Sequence, residues 1–243
     1  MIATPTTQGT VTTAYAHTLA TAATVLAEAG GSHRLAIVDG ADVVAARTIL
    51  THAFLGDETL THLLFLDGDM AVEAEVLRRM LALGAPIVGC AYPRRELDLD
   101  AHAEALADAP DRDRARALAS RFTVRLGAGQ VQVRGNFAEV QGFGMGCVLI
   151  ARGLLRAMIA RGAVRPMVSS RLREAGLTGE IFDFFDEIRL ESGDRLNEDF
   201  AFCERVRALG DVPLTAWVGP GVGHVGRFTF GGAYVERLKT GRA

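Results

Sequence analysis

Apolar residues fall along the first ninety positions in short runs separated by longer amphipathic stretches. Ile2-Ala3 leads into Thr4-Pro5-Thr6 and predicts a very short first strand. From Thr12 to Ala29, Tyr15, Leu19, Ala22, Ala23 and Leu26 recur at helical spacing, and Gly30-Gly31 follows as a stop. Leu35 to Val38 predicts a strand ending at Asp39-Gly40, and a helix over about Val43 to Phe54 closes at Gly56. Leu63 to Leu66 predicts a third strand. A helix from about Val72 to Leu83 ends at Gly84, and a fourth strand covers Pro86 to Tyr92. Strands that are apolar throughout, rather than alternating, predict a parallel sheet covered by helices on both faces.

The second half is less regular. Residues 97–120 are polar and predict an exposed helical insertion. Phe122 to Leu126 and Val131 to Arg134 flank Gly127-Ala128-Gly129 and predict a hairpin. Further strands are expected at Phe137 to Gln141, Cys147 to Ile150 and Pro213 to Val218. A helix is expected from about Leu154 to Arg161, and another from Glu198 to Leu209 capped by Asn197, with a glycine-rich tail at the end. The expected organisation is one domain over 1–243: a nucleotide-binding half at 1–96, the insertion at 97–120, and a half at 121–243 that completes the site.

The chain has 243 residues, 49% of them hydrophobic, enough for a substantial core. Its formal net charge of -3 and scattered basic residues argue against a nucleic-acid partner. Cys90, Cys147 and Cys203 are far apart and form no CxxC pair, so buried reduced thiols are expected. The N-terminus lacks a signal-peptide pattern, and no apolar run approaches the roughly 20 residues that span a bilayer. A cytoplasmic protein is the expectation.

Parallel sheets bind ligands at the carboxyl ends of their strands, which directs attention to the residues just after each one. Asp67-Gly68-Asp69 follows the third strand. Two carboxylates two residues apart in extended chain share a side, and Gly68 lets a ligand approach the backbone. Hard cations such as Mn²⁺ or Mg²⁺ take oxygen ligands and often add substrate phosphates. The competing reading is an acidic turn that caps the next helix. Glu198-Asp199 opens a helix, where the macrodipole alone favours acids; one of the two is otherwise a candidate general base. His224 lies in Gly221-Val222-Gly223-His224-Val225-Gly226 and is either a metal ligand or a structural histidine. Gly142-Phe143-Gly144-Met145-Gly146 admits a sugar or acceptor against its backbone, or is a tight bend. Arg47, Arg94 and Arg95 are phosphate candidates set against ordinary exposure.

In order and spacing these segments resemble bacterial and phage glycosyltransferases of the GT-A fold. The matching segments are Ile2-Ala3-Thr4-Pro5-Thr6, Ala46-Arg47-Thr48 before Phe54-Leu55, Thr61 to Met70, and Val88 to Arg95. Gly142-Phe143-Gly144, Glu198 to Phe202 and Gly223 to Phe228 complete the set. The resemblance implies an α/β, Rossmann-like, mostly parallel sheet flanked by helices with a mixed C-terminal acceptor side. It implies that Thr4, Pro5 and Thr6 lie against a nucleotide base, with Asp39 near base or ribose and Arg47 at the diphosphate. Asp67, Gly68 and Asp69 would serve the donor, and Asp67, Asp69 and His224 would hold Mn²⁺ or Mg²⁺. Asp199, favoured over Glu198, would be the base, and Tyr92, Arg94, Gly144 and Met145 would face sugar or acceptor. The expected activity is transfer of a sugar from a UDP- or GDP-sugar to a hydroxyl acceptor, with inversion. A sugar-phosphate nucleotidyltransferase and a non-catalytic nucleotide or sugar binder are the alternatives. Thr6-Thr7-Gln8-Gly9-Thr10 holds one glycine and no basic residue, which counts against the nucleotidyltransferase. A homo-oligomer is compatible with all three.

Overall fold

A computed structural model of the protein describes residues 1–40, 42–108 and 111–226. Residues 227–243, which hold the rest of the glycine-rich tail and the Arg227-Phe228 end of one matching segment, lie outside the described residues.

The chain forms a mixed α/β fold. In the first half, β1 (Ile2–Thr6), α1 (Thr13–Glu28), β2 (Leu35–Asp39), α2 (Val43–Gly56) and β3 (His62–Leu66) alternate as expected. A short strand, β4 (Met70–Val72), then precedes α3 (Ala74–Leu83) and β5 (Ile87–Cys90). Next come β6 (Pro93–Leu97), the helices α4 (Leu99–Asp108) and α5 (Arg112–Leu118), β7 (Ser120–Phe122) and β8 (Val124–Arg125). They are followed by β9 (Val133–Arg134), β10 (Phe137–Val140), β11 (Gly142–Phe143), β12 (Cys147–Ala151) and α6 (Arg152–Ala160). The remaining elements are β13 (Pro166–Met167), α7 (Ser170–Glu174), β14 (Ile181–Phe182), β15 (Ile188–Arg189), β16 (Arg195–Leu196), α8 (Glu198–Arg207), β17 (Leu214–Trp217) and β18 (Val222–His224).

Eight strands form the central sheet in the order β2-β1-β3-β12-β5-β17-β10-β9. β2, β1 and β3 are parallel, as are β5 and β17. β12 runs antiparallel between β3 and β5, so these two strands are not neighbours. Alternate residues of the buried strands feed two cores. Ala3, Phe65 and Val148 pack with α2, α6 and α8, whereas Ile2, Leu64 and Leu149 pack with α1 and α3. The central strands therefore carry apolar side chains at every position because both faces are covered.

Three expectations need correction. β2 is an edge strand with Leu35 42% and Ile37 49% exposed, so its apolar run is not covered on both faces. The hairpin lies one turn later than expected: β9 pairs with β10, and the turn residues Gly135 and Asn136 both have positive φ, as a two-residue hairpin requires. β8 instead pairs with β11, and β7 with β6. Asn197 occupies the cap position of α8, but its side chain makes no capping hydrogen bond. The insertion is helical and largely exposed, as its polarity predicts, and β6 and β7 join its base. Cys90, Cys147 and Cys203 are free and buried.

Candidate active site

The carboxyl ends of β1 and β3 open into a cleft of about 970 Å³ that takes in Pro5, Thr6, Arg47, Asp67, Gly68, Asp69, Arg95 and Glu198. The neighbouring strands β1 and β2 lead into α1 and α2 on opposite faces of the sheet, an arrangement that leaves a crevice at its carboxyl edge.

Asp67 is the first residue beyond β3. Its backbone N–H donates to the Gly146 carbonyl at 2.9 Å, fixing the turn against the segment before β12. Arg47 approaches it from α2. The Arg47 side chain is only 4% exposed, donating from Nη2 to Asp67 Oδ2 at 3.2 Å and from Nη1 to the Met145 carbonyl at 3.2 Å. Arg47 is therefore a built-in cation and not a solvated surface residue. Burial pushes the Asp67 carboxyl above the usual range, against the opposing pull of Arg47. Its other oxygen, Oδ1, is buried without a hydrogen-bond partner.

Neither aspartate caps a helix, so the helix-capping alternative fails. The chain after Asp69 enters β4, and α3 begins later, with Glu73 at its cap position. β4 pairs antiparallel with β18, setting His224 opposite Met70, and the Val225 N–H donates to the Asp69 carbonyl at 2.8 Å. This ladder brings residues 155 positions apart into contact: His224 Nε2 lies 3.2 Å from Asp69 Oδ2. His224 Nδ1 lies 3.1 Å from the Pro93 carbonyl, which can only accept, so Nδ1 carries the hydrogen. Nε2 is then the ring nitrogen that faces the carboxylate, donating to it when it carries a hydrogen and open to a cation when it does not. The Tyr92 ring meets the imidazole edge-on, with centroids 5.2 Å apart, and holds its plane.

Arg95 Nη1 reaches the same Asp69 oxygen at 3.0 Å. Burial alone would raise the Asp69 carboxyl, but the bond from His224 and the charges of His224 and Arg95 outweigh it and bring it below the usual range. Arg94, one residue earlier on β6, is exposed and does not line the cleft. Arg95 does line it, so the phosphate candidate is Arg95.

The residues suit a divalent cation in donor type: carboxylate oxygens and an imidazole nitrogen, with one buried carboxylate oxygen left over. An ion with ligands at about 2.1 Å sets adjacent ligands roughly 3.0 Å apart, close to the Asp69–His224 separation. Among the described residues, no three His, Cys, Asp or Glu side chains stand close enough to hold an ion by themselves. Asp69 and His224 would supply one edge of the shell, and substrate phosphates most of the remainder.

The two acids that open α8 divide. Glu198 is half-buried and lines the cleft. Asp199 is buried behind it and accepts from the Phe200 N–H at 2.7 Å. Burial, and then the charge of Glu198, push the Asp199 carboxyl up to about 6.

Tyr92, Gly144 and Met145 are interior, which corrects their placement toward sugar or acceptor. Met145 is 0% exposed, and the Gly146 N–H donates to the Tyr92 hydroxyl at 3.2 Å. A Cβ on Gly144 would sit 2.3 Å from that hydroxyl, and one on Gly142 2.8 Å from the Phe200 ring. The glycines let this segment pass close to Tyr92 and α8; its part in the site is the carbonyls of Met145 and Gly146. Gly68 likewise packs under the loop after β1, where a Cβ would lie 3.1 Å from Val11 Cγ1. Thr4 is buried and bonds the Tyr15 hydroxyl at 2.6 Å, so it braces α1 and does not reach the cleft. Asp39 accepts from Thr6 Oγ1 at 3.2 Å and from the Gly9 N–H at 2.7 Å, shaping the loop beside the cleft.

Sequence reasoning assigned no role to Arg152. It is 8% exposed and donates to the carbonyls of Phe54, Leu55, Asp57 and Leu60, tying the end of α2 to β3. No helix among the described residues is long and apolar enough to cross a membrane.

No protein-family profile matches the chain, and no curated protein does. Among solved structures it is similar to A197 from STIV, at 15% identity and a TM-score of 0.47, over 93% of this chain and 85% of that one.

Proposed function

We propose that the protein is a GT-A-type glycosyltransferase that moves a sugar from a nucleoside-diphosphate sugar to a hydroxyl acceptor. The observation that carries this reading is the meeting of Asp67, Asp69, His224, Arg47, Arg95 and Glu198 around one cleft at the carboxyl ends of parallel strands.

Pro5, Thr6 and the loop that Asp39 braces form the wall on which the nucleoside would rest. Arg47 and Arg95 bring two guanidiniums to the place where a diphosphate would lie, and planar donors of this kind match phosphate oxygens. Mn²⁺ or Mg²⁺ held by Asp69 and His224, with Asp67 beside them, would neutralise charge on the departing diphosphate. Glu198 is the carboxylate that faces the cleft, so the base role passes to it from Asp199, which positions the first turn of α8. In the proposed step the acceptor oxygen attacks the anomeric carbon and its proton goes to Glu198. The bond from that carbon to the diphosphate oxygen breaks, and the configuration inverts.

The test is release of nucleoside diphosphate from a panel of UDP- and GDP-sugars, with and without Mn²⁺. Metal-dependent release from one donor class, lost in Asp69→Ala and reduced at least tenfold in Glu198→Gln, is the expected result. No release from any donor, by a protein that nevertheless binds UDP or GDP, would replace this reading with that of a non-catalytic binder.

A further inference from the structure

Arg47 and Arg95 each pair with one of the two aspartates, but in contrasting ways. The Arg47 side chain is 4% exposed and anchored to the Met145 carbonyl as well as to Asp67. The Arg95 side chain is 56% exposed, and its one side-chain hydrogen bond among the described residues is to Asp69 Oδ2. That oxygen is also the one His224 Nε2 approaches. A divalent cation seated between Asp69 and His224 would share a single oxygen with the guanidinium, putting two positive charges side by side.

We propose that Arg95 is an exchangeable counter-cation of Asp69. It neutralises the carboxylate while the cleft is empty of nucleotide, competes there with the divalent cation, and passes to the diphosphate when cation and nucleotide bind together. The inference rests on the donor-site reading above. Release from Asp69 is cheap because a pair this exposed is weak. The stem stays in the cleft because Val225-Gly226 packs against it; a Cβ on Gly226 would lie 2.9 Å from both Cγ and Cδ of Arg95. Freed of Asp69, the guanidinium therefore stays within the cleft that Arg47, Thr6 and Gly68 also line. Arg94 does not line the cleft and cannot substitute.

The functional consequence is coupling. Cation alone must displace Arg95 with no phosphate to receive it, so it binds a few-fold less tightly than it would to an unpaired Asp69. Nucleotide draws Arg95 away and strengthens cation binding, and by reciprocity the cation strengthens nucleotide binding by the same factor. Free phosphate-rich metabolites or stray metal would then occupy the site poorly on their own.

The experiment is titration of the full chain with Mn²⁺, free ion being followed by its electron paramagnetic resonance signal. Wild type and Arg95→Gln are compared, first alone and then with saturating UDP or GDP. Arg95→Gln is expected to bind Mn²⁺ alone about fivefold more tightly, the range of an exposed ion pair. Nucleotide should then raise its Mn²⁺ affinity by a smaller factor than in wild type. Equal thermal melting of the two proteins secures the comparison. Unchanged or weaker Mn²⁺ binding by the variant overturns the proposal, as does absence of Mn²⁺ binding by both. Failure of UDP and GDP to bind either protein strikes the donor-site reading, and the nucleotide-free comparison still decides for or against competition by Arg95.

Discussion

Asp199 is a buried carboxylate whose charge costs the fold stability, and the cost can be measured. Its pKa rises from 3.8 to about 6 on folding, chiefly through burial and secondarily through the adjacent Glu198. The unfolded chain loses this proton near pH 4, whereas the folded protein keeps it until about pH 6. Between those values the folded state holds more protons, so stability falls as pH rises, and the full penalty is present above pH 6. A rise of that size corresponds to roughly 3 kcal/mol. Asp199 is only 9% exposed, so solvent relieves little of it. Asp199→Asn removes the charge and keeps an oxygen for the Phe200 N–H. Urea unfolding from pH 3.5 to pH 8 should show the variant level with wild type at the acid end. It should become more stable by as much as about 3 kcal/mol above pH 7. Titrating groups that do not sense the Asp199 charge cancel in the difference. A difference independent of pH, or a variant less stable than wild type at pH 8, would refute the buried-charge reasoning.

Arg47→Met should strand the Asp67 carboxylate and cost about 3 kcal/mol, measured by urea unfolding; adding Asp67→Asn should recover much of the loss. Gly144→Ala should lower the melting temperature, by roughly 1–3 kcal/mol of stability, because its methyl would meet the Tyr92 hydroxyl. Arg152→Ala should cost about 3 kcal/mol without altering nucleotide affinity, since it leaves buried carbonyls at the end of α2 unpaired far from the cleft. Gly226→Ala should push the Arg95 stem off its seat and raise Mn²⁺ affinity in the absence of nucleotide, as Arg95→Gln does, although the charge remains.

Much of the first half was legible in the sequence because local signals agreed there. Gly84 sits in the left-handed region after α3, as a helix stop should, and Leu63 to Leu66 is fully buried as its composition predicts. Direction was not legible. Cys147 to Ala151 reads as an apolar strand, but nothing in such a run states that it enters antiparallel between β3 and β5. Burial at the edge was not legible either, since Leu35 and Ile37 look like any buried strand. The misplaced hairpin followed glycine content at 127–129 and overlooked Gly135-Asn136, whose adjacent positive φ values make the turn. At the site, Asp67 and Asp69 stood out by their position after a buried strand. Arg94 and Arg95 are alike in sequence, and only the fold shows that Arg95 lines the cleft. Gly144 and Met145 misled because a glycine that admits a ligand and one that admits a tyrosine ring look alike in sequence. His224 meets Asp69 through a ladder spanning 155 residues, which no local pattern encodes.

The central claim is that the Asp67–Asp69 cleft binds a nucleoside diphosphate with a divalent cation. Calorimetric titration of UDP and of GDP, each with and without Mn²⁺, on wild type and Asp69→Ala tests it most directly. Binding of one nucleotide that requires both the ion and Asp69 is the expected result. Absence of binding by either nucleotide to the folded wild-type protein, or binding unchanged by Mn²⁺ and by loss of Asp69, would contradict it.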